Sequence, residues 1–198
     1  MSPRLPARTA SLFRQLMGSK VNALPNRGCA LDWRKSSSGR PTFGGIYVFW
    51  WNGSARDFYR RIENRVLCFR GSQSNLRWKL RPRDLVVAPN GGLPLYVGKT
   101  SRDIAGRVGL HLKLKTERMV LLRDVGKPGR KMTTSCQVRD RLDRLFPRCQ
   151  NTAVLALDCL MLSYLRLDES PHAAVERFFL EDYAIGVLHP VFNVDVER

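Results

Sequence analysis

Two short apolar runs constrain the fold of this 198-residue chain more than any other feature. Residues 44–51 and residues 93–99 are rich in β-branched and aromatic side chains, and Pro or Gly occurs shortly before each run. Runs of this kind are typical of β-strands, and residues 161–167 predict a third strand. None of them approaches the roughly 18 apolar residues that a membrane span needs, so we expect no membrane partner.

The charge balance favours an acidic partner. The chain carries 34 Lys or Arg residues against 17 Asp or Glu residues, which gives a formal net charge of +17. Basic side chains that neutralise phosphates release counterions, and this creates affinity for nucleic acid whatever its sequence. An inert basic surface is a weaker explanation, and an anionic membrane surface is weaker still because no long basic amphipathic helix is present.

The segments around the strands predict helices. Apolar spacing and capping residues indicate helices in residues 10–17, 56–66, 104–114 and 138–146. A last helix is predicted from an N-cap at Ser170 to about Leu188. The leucines of residues 110–114 also alternate with polar residues, which fits a strand, and the sequence leaves this choice open.

Tyr47 and Tyr96 occupy equivalent places in the first two predicted strands. Each is flanked by two aliphatic residues, and neighbouring side chains of a strand point to opposite faces of the sheet. If the two strands pair, both hydroxyl groups can therefore lie on one face. Taken alone, each tyrosine fits an ordinary structural role equally well.

Glu181 is the second unusual feature. It falls within an apolar stripe of the last predicted helix, where an unpaired carboxylate is costly unless it binds a cation. A salt bridge to Arg177, one turn earlier, is the alternative. The stripe consists of Ala174, Phe178, Ile185 and Leu188.

Two tripeptides carry a resemblance to a known family. Gly45-Ile46-Tyr47 and Tyr96-Val97-Gly98, the latter followed by Lys99-Thr100, resemble the two motifs of the GIY-YIG endonuclease family. Here 48 residues separate Tyr47 from Tyr96, whereas a short hairpin usually joins the two motifs in the family. The strands can still pair around such an insertion, because the entropy of loop closure grows slowly with loop length.

Further positions follow in the order of the family. Arg107 and His111, four residues apart and so on one helical face, match its helical arginine and polar partner. Glu181 matches its metal-binding glutamate, and Asn193 follows Pro190 at the expected distance. The resemblance covers residues 44–51, 93–115 and 160–195.

The resemblance implies an α+β fold, an α/β sandwich in which a small three-stranded, mostly antiparallel sheet is flanked by helices. A basic N-terminal arm and a large insertion between the first two strands would be added to it. The resemblance also implies hydrolysis of phosphodiester bonds, mainly in double-stranded DNA, with Mg²⁺ or Mn²⁺ as the cofactor.

The roles of the site residues are likewise implied by the resemblance. Glu181 would hold the metal ion, and Arg107 would grip the scissile phosphate. Tyr47 would be the general base or would orient the water. Base catalysis by Tyr47 requires that a nearby cation, such as Lys99 or the metal ion, lower the pKa of the tyrosine from its ordinary value of about 10.

Three other residues would assist the reaction. Tyr96 would support Tyr47 by hydrogen bonding, and His111 would shuttle a proton or brace the phosphate. Asn193 would fix the end of the helix rather than take part in the chemistry.

We expect residues 1–43 to form a basic arm in contact with DNA, and residues 44–198 to form the nuclease domain. That domain would include a basic insertion, residues 52–92, and a connection, residues 116–150. Arginine forks suit phosphates and guanine edges. The predicted DNA contacts are Arg56, Arg60, Arg77, Lys79, Arg81, Lys113 and Lys115.

The size and the added basic segments resemble a stand-alone, site-specific restriction endonuclease of the family. The alternatives are a non-catalytic basic nucleic-acid-binding protein and a structure-specific repair, homing or toxin nuclease of the same family. Cutting of both strands would need either a homodimer or sequential nicking. Five widely spaced cysteines and the lack of a secretory signal favour the cytoplasm, although the Arg-containing N-terminal segment also fits an organellar transit peptide.

Overall fold

The computed structural model of the chain describes residues 7–19, 22–23, 43–70, 75–112, 137–169 and 171–193. Within them the fold is α+β, as predicted, with six helices, an antiparallel sheet and a separate hairpin. The helices are α1 (Ala7–Gly18), α2 (Ala55–Arg61), α3 (Ile104–Leu112), α4 (Gln137–Leu145), α5 (Thr152–Cys159) and α6 (Ala173–Leu188). The strands are β1 (Asn22–Ala23), β2 (Gly45–Trp51), β3 (Val66–Arg70), β4 (Asn75–Lys79), β5 (Leu93–Thr100) and β6 (Leu160–Arg166).

The central sheet consists of β6, β2 and β5, with β2 in the middle and antiparallel to both neighbours. The two-residue strand β1 pairs with the outer edge of β6, and β3 pairs with β4 in the hairpin. All residues of β2 are buried, because packed elements cover both faces of the sheet. This explains why β2 is a continuous apolar run rather than an alternating one.

The two faces of the sheet bury different sets of side chains. Ile46, Val48 and Trp50 pack with residues of α1 and α6 on one face, which we call the α1–α6 face. Tyr47 and Phe49 pack on the other face beneath α3, α4 and α5, which we call the tyrosine face.

The insertion between β2 and β5 is part of the core. It contains α2, the β3–β4 hairpin and a short 3₁₀ helix, Pro82–Asp84. Phe58, Leu67 and Leu80 from this segment are fully buried in the same cluster as Tyr47. The 48-residue spacing therefore does not prevent β2 and β5 from pairing, since the inserted residues fold back onto the tyrosine face.

The N-terminal helix α1 also contributes to the core. Leu12 and Leu16 are buried against the α1–α6 face, and Arg8 forms a 2.7 Å ion pair with Glu176 of α6. Most of residues 1–43 outside α1 lies outside the described residues. The DNA contact predicted for this segment stays a prediction.

Several predicted boundaries differ from the structure. The second helix ends at Arg61, because the chain turns into β3 at Val66. Helix α6 begins at Ala173 with His172 in the N-cap position, whereas the predicted cap, Ser170, lies outside the described residues. Residues 104–112 are helical, so the strand alternative for Leu110 is wrong.

The described part of the chain contains no helix that is both long and apolar enough to cross a membrane.

Candidate active site

Tyr47 and Tyr96 lie side by side on the tyrosine face, as predicted. In the register of β2 and β5, Tyr47 faces Gly98 and Phe49 faces Tyr96. The centroids of the two phenol rings are 6.4 Å apart. Leu95 shares this face with Tyr96, contrary to strict alternation, because the pairing register shifts between Phe49 and Trp50.

Gly98 makes room for both phenols. A Cβ atom on this residue would lie 2.5 Å from Tyr47 Oη and 2.8 Å from Tyr96 Cε1. Real Cβ atoms essentially never approach other heavy atoms so closely. The glycine of the second tripeptide is therefore required by the packing of the two tyrosines across the strand pair.

His111 reaches Tyr47 from α3. Its Nε2 atom and Tyr47 Oη share a 2.7 Å hydrogen bond, and its ring centroid lies 4.7 Å from that of Tyr96. The imidazole is fully buried, and burial together with the neighbouring Arg107 guanidinium lowers the pKa of His111 to about 3. His111 is therefore neutral near pH 7.

Tyr47 Oη and His111 Nε2 can each be the donor of their shared hydrogen bond, because a phenol hydroxyl donates or accepts and a neutral imidazole has two tautomers. The other ring nitrogen, Nδ1, has no partner among the described residues. Arg107 lies one turn before His111 on α3, and its charge lowers the pKa of both the imidazole and the Tyr47 phenol.

The buried neutral imidazole makes stability depend on pH. An unfolded histidine titrates near pH 6.5, whereas His111 in the folded chain titrates near 3, so between these values the unfolded chain binds the extra proton. We expect this group alone to remove about 2 kcal/mol of stability between pH 7 and pH 5. Urea denaturation of the wild type and of His111→Gln at both pH values measures the difference.

The control for this experiment is His189→Asn. His189 is exposed and has a φ of 47°, a conformation that Asn tolerates. This variant should lose the same stability as the wild type on acidification, whereas His111→Gln should lose about 2 kcal/mol less. An equal acid sensitivity of His111→Gln and the wild type would contradict a neutral buried His111.

The phenols of Tyr47 and Tyr96 are both held in the neutral form. Burial raises the pKa of Tyr47 well above its ordinary value, the nearby Tyr96 raises it further, and Arg107 opposes the shift. Burial and then the Glu181 carboxylate raise the pKa of Tyr96, against Arg107 and Arg141. The charged side chains of the chain therefore do not bring the pKa of Tyr47 below its ordinary value. The roles of general base beside a metal ion and of orienting a water both stay predictions.

Glu181 forms an ion pair with Lys99 of β5 rather than with Arg177. The Lys99 ammonium contacts Glu181 Oε2, while Arg177 donates to the backbone carbonyl of Leu167. The side chains of Glu181 and Lys99 are 19% and 37% exposed, so both are accessible to a ligand. Lys99 is thus engaged by the acid and does not depress the pKa of Tyr47.

The apolar stripe predicted for α6 is only partly confirmed: Leu188 is buried and Ile185 packs against the core, whereas Ala174 is exposed. The buried residues of this helix are Ala173, Leu180, Ala184 and Leu188, whereas Phe178 is half exposed. Glu181 therefore lies at the border of the buried stripe and not within it. Glu181 is partly exposed and paired with Lys99, which suits a carboxylate that binds a cation.

A single carboxylate such as Glu181 suits a metal ion that needs few protein ligands. No group of three or more His, Cys, Asp or Glu side chains in the described ranges could hold a metal by itself. Mg²⁺ keeps several of its waters and commonly uses one or two carboxylates together with substrate phosphates. A partly exposed single carboxylate is compatible with Mg²⁺, or Mn²⁺, that binds together with a phosphate.

Asn193 anchors the chain after α6 to the edge strand β5. Its Oδ1 atom accepts from the backbone N–H of Val97 at 2.6 Å, and its Nδ2 atom donates to the Val97 carbonyl at 2.8 Å. The side-chain amide thus makes the two backbone hydrogen bonds with Val97 that a neighbouring strand would otherwise make. This is a structural contact, although its target is the strand and not the helix end.

A buried ionic network next to the end of α3 was not predicted from the sequence. Arg139 of α4 is fully buried, and it donates to Asp143 at 3.1 Å and to the carbonyl of Leu112 at 3.3 Å. Thr152 of α5 also donates to Asp143. The network ties α4 and α5 to the last residue of α3, next to His111.

The residues predicted to contact DNA lie mostly on the insertion. They are exposed on α2, on β4 and next to the 3₁₀ helix, and Arg60 is also 3.6 Å from Asp57. Nothing in the fold opposes a contact with phosphates, which stays a prediction. The exposed residues are Arg56, Arg60, Arg77, Lys79 and Arg81, whereas Lys113 and Lys115 lie outside the described residues.

Comparisons with protein-family models, with curated proteins and with solved structures give no match to this chain. The fold and the site define an α+β protein with two buried phenols on one face of its sheet, an imidazole bonded to one of them and an ion-paired carboxylate on α6.

Proposed function

We propose that this chain is a Mg²⁺-dependent endonuclease that hydrolyses phosphodiester bonds of double-stranded DNA, with a site of the GIY-YIG kind. One observation carries the proposal. The Tyr47 and Tyr96 rings are 6.4 Å apart, and His111, bonded to Tyr47, follows Arg107 by one turn of α3. Glu181 is ion-paired with Lys99, three residues after Tyr96, so the two phenols, the guanidinium and the carboxylate belong to one part of the fold. These four groups come from two strands and two helices that are far apart in sequence.

The cations of the site suit a phosphodiester. Arg107 has a planar fork that can donate to two non-bridging oxygens, and the Lys99 ammonium is a second positive charge across the sheet edge. Both would stabilise the charge that builds up on the phosphorus centre in the transition state. The formal net charge of +17 supports the same class of substrate.

Tyr47 is suited to orient the attacking water. Its hydroxyl shares a hydrogen bond with His111 and has a further lone pair that can accept from a water. Glu181 would hold Mg²⁺, which supplies a Lewis acid for the phosphate when it is bound. The neutral Tyr96 can donate a hydrogen bond to the substrate.

The proposal is tested with supercoiled plasmid. The purified protein should convert it to nicked or linear DNA with Mg²⁺ or Mn²⁺, chelation by EDTA should stop the reaction, and added Mg²⁺ should restore it. Binding to the same plasmid without cleavage under any of these conditions would leave the non-catalytic nucleic-acid binder as the function.

The restriction-like subtype requires a separate observation. Long DNA of varied sequence should give discrete fragments, because a site-specific enzyme cuts at few positions. Uniform nicking, or cutting confined to flaps and junctions, would replace this subtype with a toxin-like or a repair-like nuclease.

Gly98→Ala should lower the cleavage rate by about 100-fold, the order of effect that a 1 Å misplacement of catalytic groups produces. The added methyl group would push Tyr47 Oη and the Tyr96 ring out of position. Single-turnover cleavage with Mg²⁺ measures the effect. The matched control is Gly109→Ala in α3, where a Cβ atom meets nothing within 4 Å.

Gly109→Ala should cleave at the wild-type rate. If Gly98→Ala does so too while its fold is intact, the positions of the two phenols do not matter for the reaction.

A further inference from the structure

Helix α6 exposes two aromatic rings beside the candidate active site. Phe178 and Phe179 are 52% and 50% exposed, and Val175 on the same side of the helix is 55% exposed. Among the Phe, Tyr and Trp side chains whose exposure the structure describes, these two are the most exposed. Exposed apolar patches often mark sites where a ligand or a partner binds.

Phe178 is directly connected to the ionic groups of the site. The Lys99 ammonium lies 5.1 Å from the centroid of the Phe178 ring, and the same ammonium pairs with Glu181. Phe178 and Glu181 are three residues apart and so neighbours on the surface of α6. A phosphate bound at Lys99 and Glu181 would therefore place its own nucleotide within reach of the Phe178 ring.

The charge of the chain indicates what covers this surface. A second copy would bring another formal charge of +17 against the first, which opposes association. A nucleic acid combines a negative backbone with flat apolar bases, and bases stack on exposed aromatic side chains whatever their identity. A nucleotide of the substrate can both neutralise the positive charge and stack on the exposed aromatic rings.

We propose that Phe178, flanked by Phe179, is a stacking platform for a nucleobase next to the scissile phosphate. This proposal rests on the proposed function, and it restricts the preferred substrate to DNA in which one base can leave the stack. In an intact duplex each base already stacks on its neighbours, so contact with Phe178 requires that one base leave the stack. DNA with an unpaired nucleotide at the binding position releases that base more easily and is bound more tightly than a perfect duplex.

The experiment compares two labelled duplexes of one sequence, one perfect and one with a single unpaired nucleotide. Dissociation constants are measured by fluorescence anisotropy in EDTA, so that the DNA is not cut. The wild type should bind the unpaired duplex more tightly, and Phe178→Ala should bind it about 10- to 100-fold more weakly, in line with the loss of one stacked base. Phe178→Trp should keep the wild-type preference.

The matched control is Val187→Ala, a truncation of another exposed apolar residue on α6, 36% exposed and more than two turns from Phe178. It should bind both duplexes like the wild type, and thermal unfolding should show that all three variants are folded. If Phe178→Ala retains the wild-type affinity for the unpaired duplex, the platform does not exist. If sedimentation shows a dimer that Phe178→Ala dissociates, the surface binds a second copy and the proposal is overturned.

The failure of this inference differs from the failure of the proposed function. Cleavage of plasmid with Mg²⁺ together with unchanged binding by Phe178→Ala would reject the platform and keep the nuclease. No cleavage together with Phe178-dependent binding of the unpaired duplex would keep the platform on a protein that only binds nucleic acid.

Discussion

Glu181→Gln should reduce Mg²⁺-dependent cleavage by about 1000-fold, equivalent to about 4 kcal/mol of transition-state stabilisation. Gln keeps the shape of the side chain but removes the charge that would hold the cation. The large effect is expected because no group of three or more His, Cys, Asp or Glu side chains among the described residues could hold the cation in its place. Single-turnover cleavage of a defined duplex measures the rate.

The same substitution should preserve DNA binding. In the wild type the Lys99 ammonium is neutralised by Glu181, and in Glu181→Gln this positive charge becomes available to a phosphate. Affinity measured in EDTA should therefore be equal to or higher than that of the wild type. This combination of lost cleavage and retained binding separates a catalytic role of the acid from a general loss of structure.

The matched control is Glu176→Gln on the same helix. Glu176 is also ion-paired with a basic residue, at 2.7 Å from Arg8, but it lies on the side of α6 that faces α1. Glu176→Gln should cleave at close to the wild-type rate. A Glu181→Gln enzyme that is as active as Glu176→Gln would remove the acid from the mechanism, and with it the metal site.

The tyrosine pair could be predicted because strand alternation is local. Once residues 44–51 and 93–99 are assigned to strands, Tyr47 and Tyr96 must point away from their flanking neighbours. The register that brings Gly98 opposite Tyr47 keeps them on one face. Only Leu95 departs from the pattern, since the register shift next to Phe49 is decided by how β5 fits its neighbours.

The position of Glu181 on α6 could not be predicted, because a helix with apolar residues on several sides has no unique buried stripe. Leu180 and Ala184 face the sheet, whereas Phe178 faces solvent. The partner of Glu181 was equally hidden. Arg177 is one turn away in sequence, but tertiary packing brings Lys99, 82 residues away, to the carboxylate instead.

The direction of the pKa shifts depends on depth of burial, which composition does not report. Both phenols are buried in one cluster with residues of the insertion and α3, and His111 of α3 is buried beside them. Burial is the largest cause of each of their pKa shifts, ahead of the nearby charges. The Arg107 guanidinium lowers the pKa of both phenols, but desolvation outweighs it.

The ionic network of α4 was hidden for a related reason. In the sequence, Arg139 and Asp143 form an i,i+4 pair of opposite charge, a spacing that usually indicates a solvated helix face. In the structure both side chains are almost completely inaccessible to solvent. Their burial is decided by how α3 and α5 pack on α4, which the spacing does not encode.

Asp143→Ala should destabilise the fold by about 3–5 kcal/mol, because it leaves the Arg139 guanidinium buried without its counter-charge. Thr152 would lose its acceptor as well. Urea denaturation measures the change. The control is Glu169→Ala, which breaks an exposed 3.1 Å pair with Arg166 and should cost less than about 1 kcal/mol.

A double variant separates the buried charge from the shape of the site. Arg139→Met combined with Asp143→Leu removes both charges and keeps most of the apolar volume, so it should be more stable than Asp143→Ala alone. It should not reach the wild type, because the Leu112 carbonyl at the end of α3 loses the donor that Arg139 provides. A double variant less stable than Asp143→Ala, or an Asp143→Ala that behaves like Glu169→Ala, would contradict the buried pair. His111 directly precedes Leu112. The double variant therefore also tests whether the Leu112 carbonyl must be held by Arg139 for His111 to keep its hydrogen bond with Tyr47.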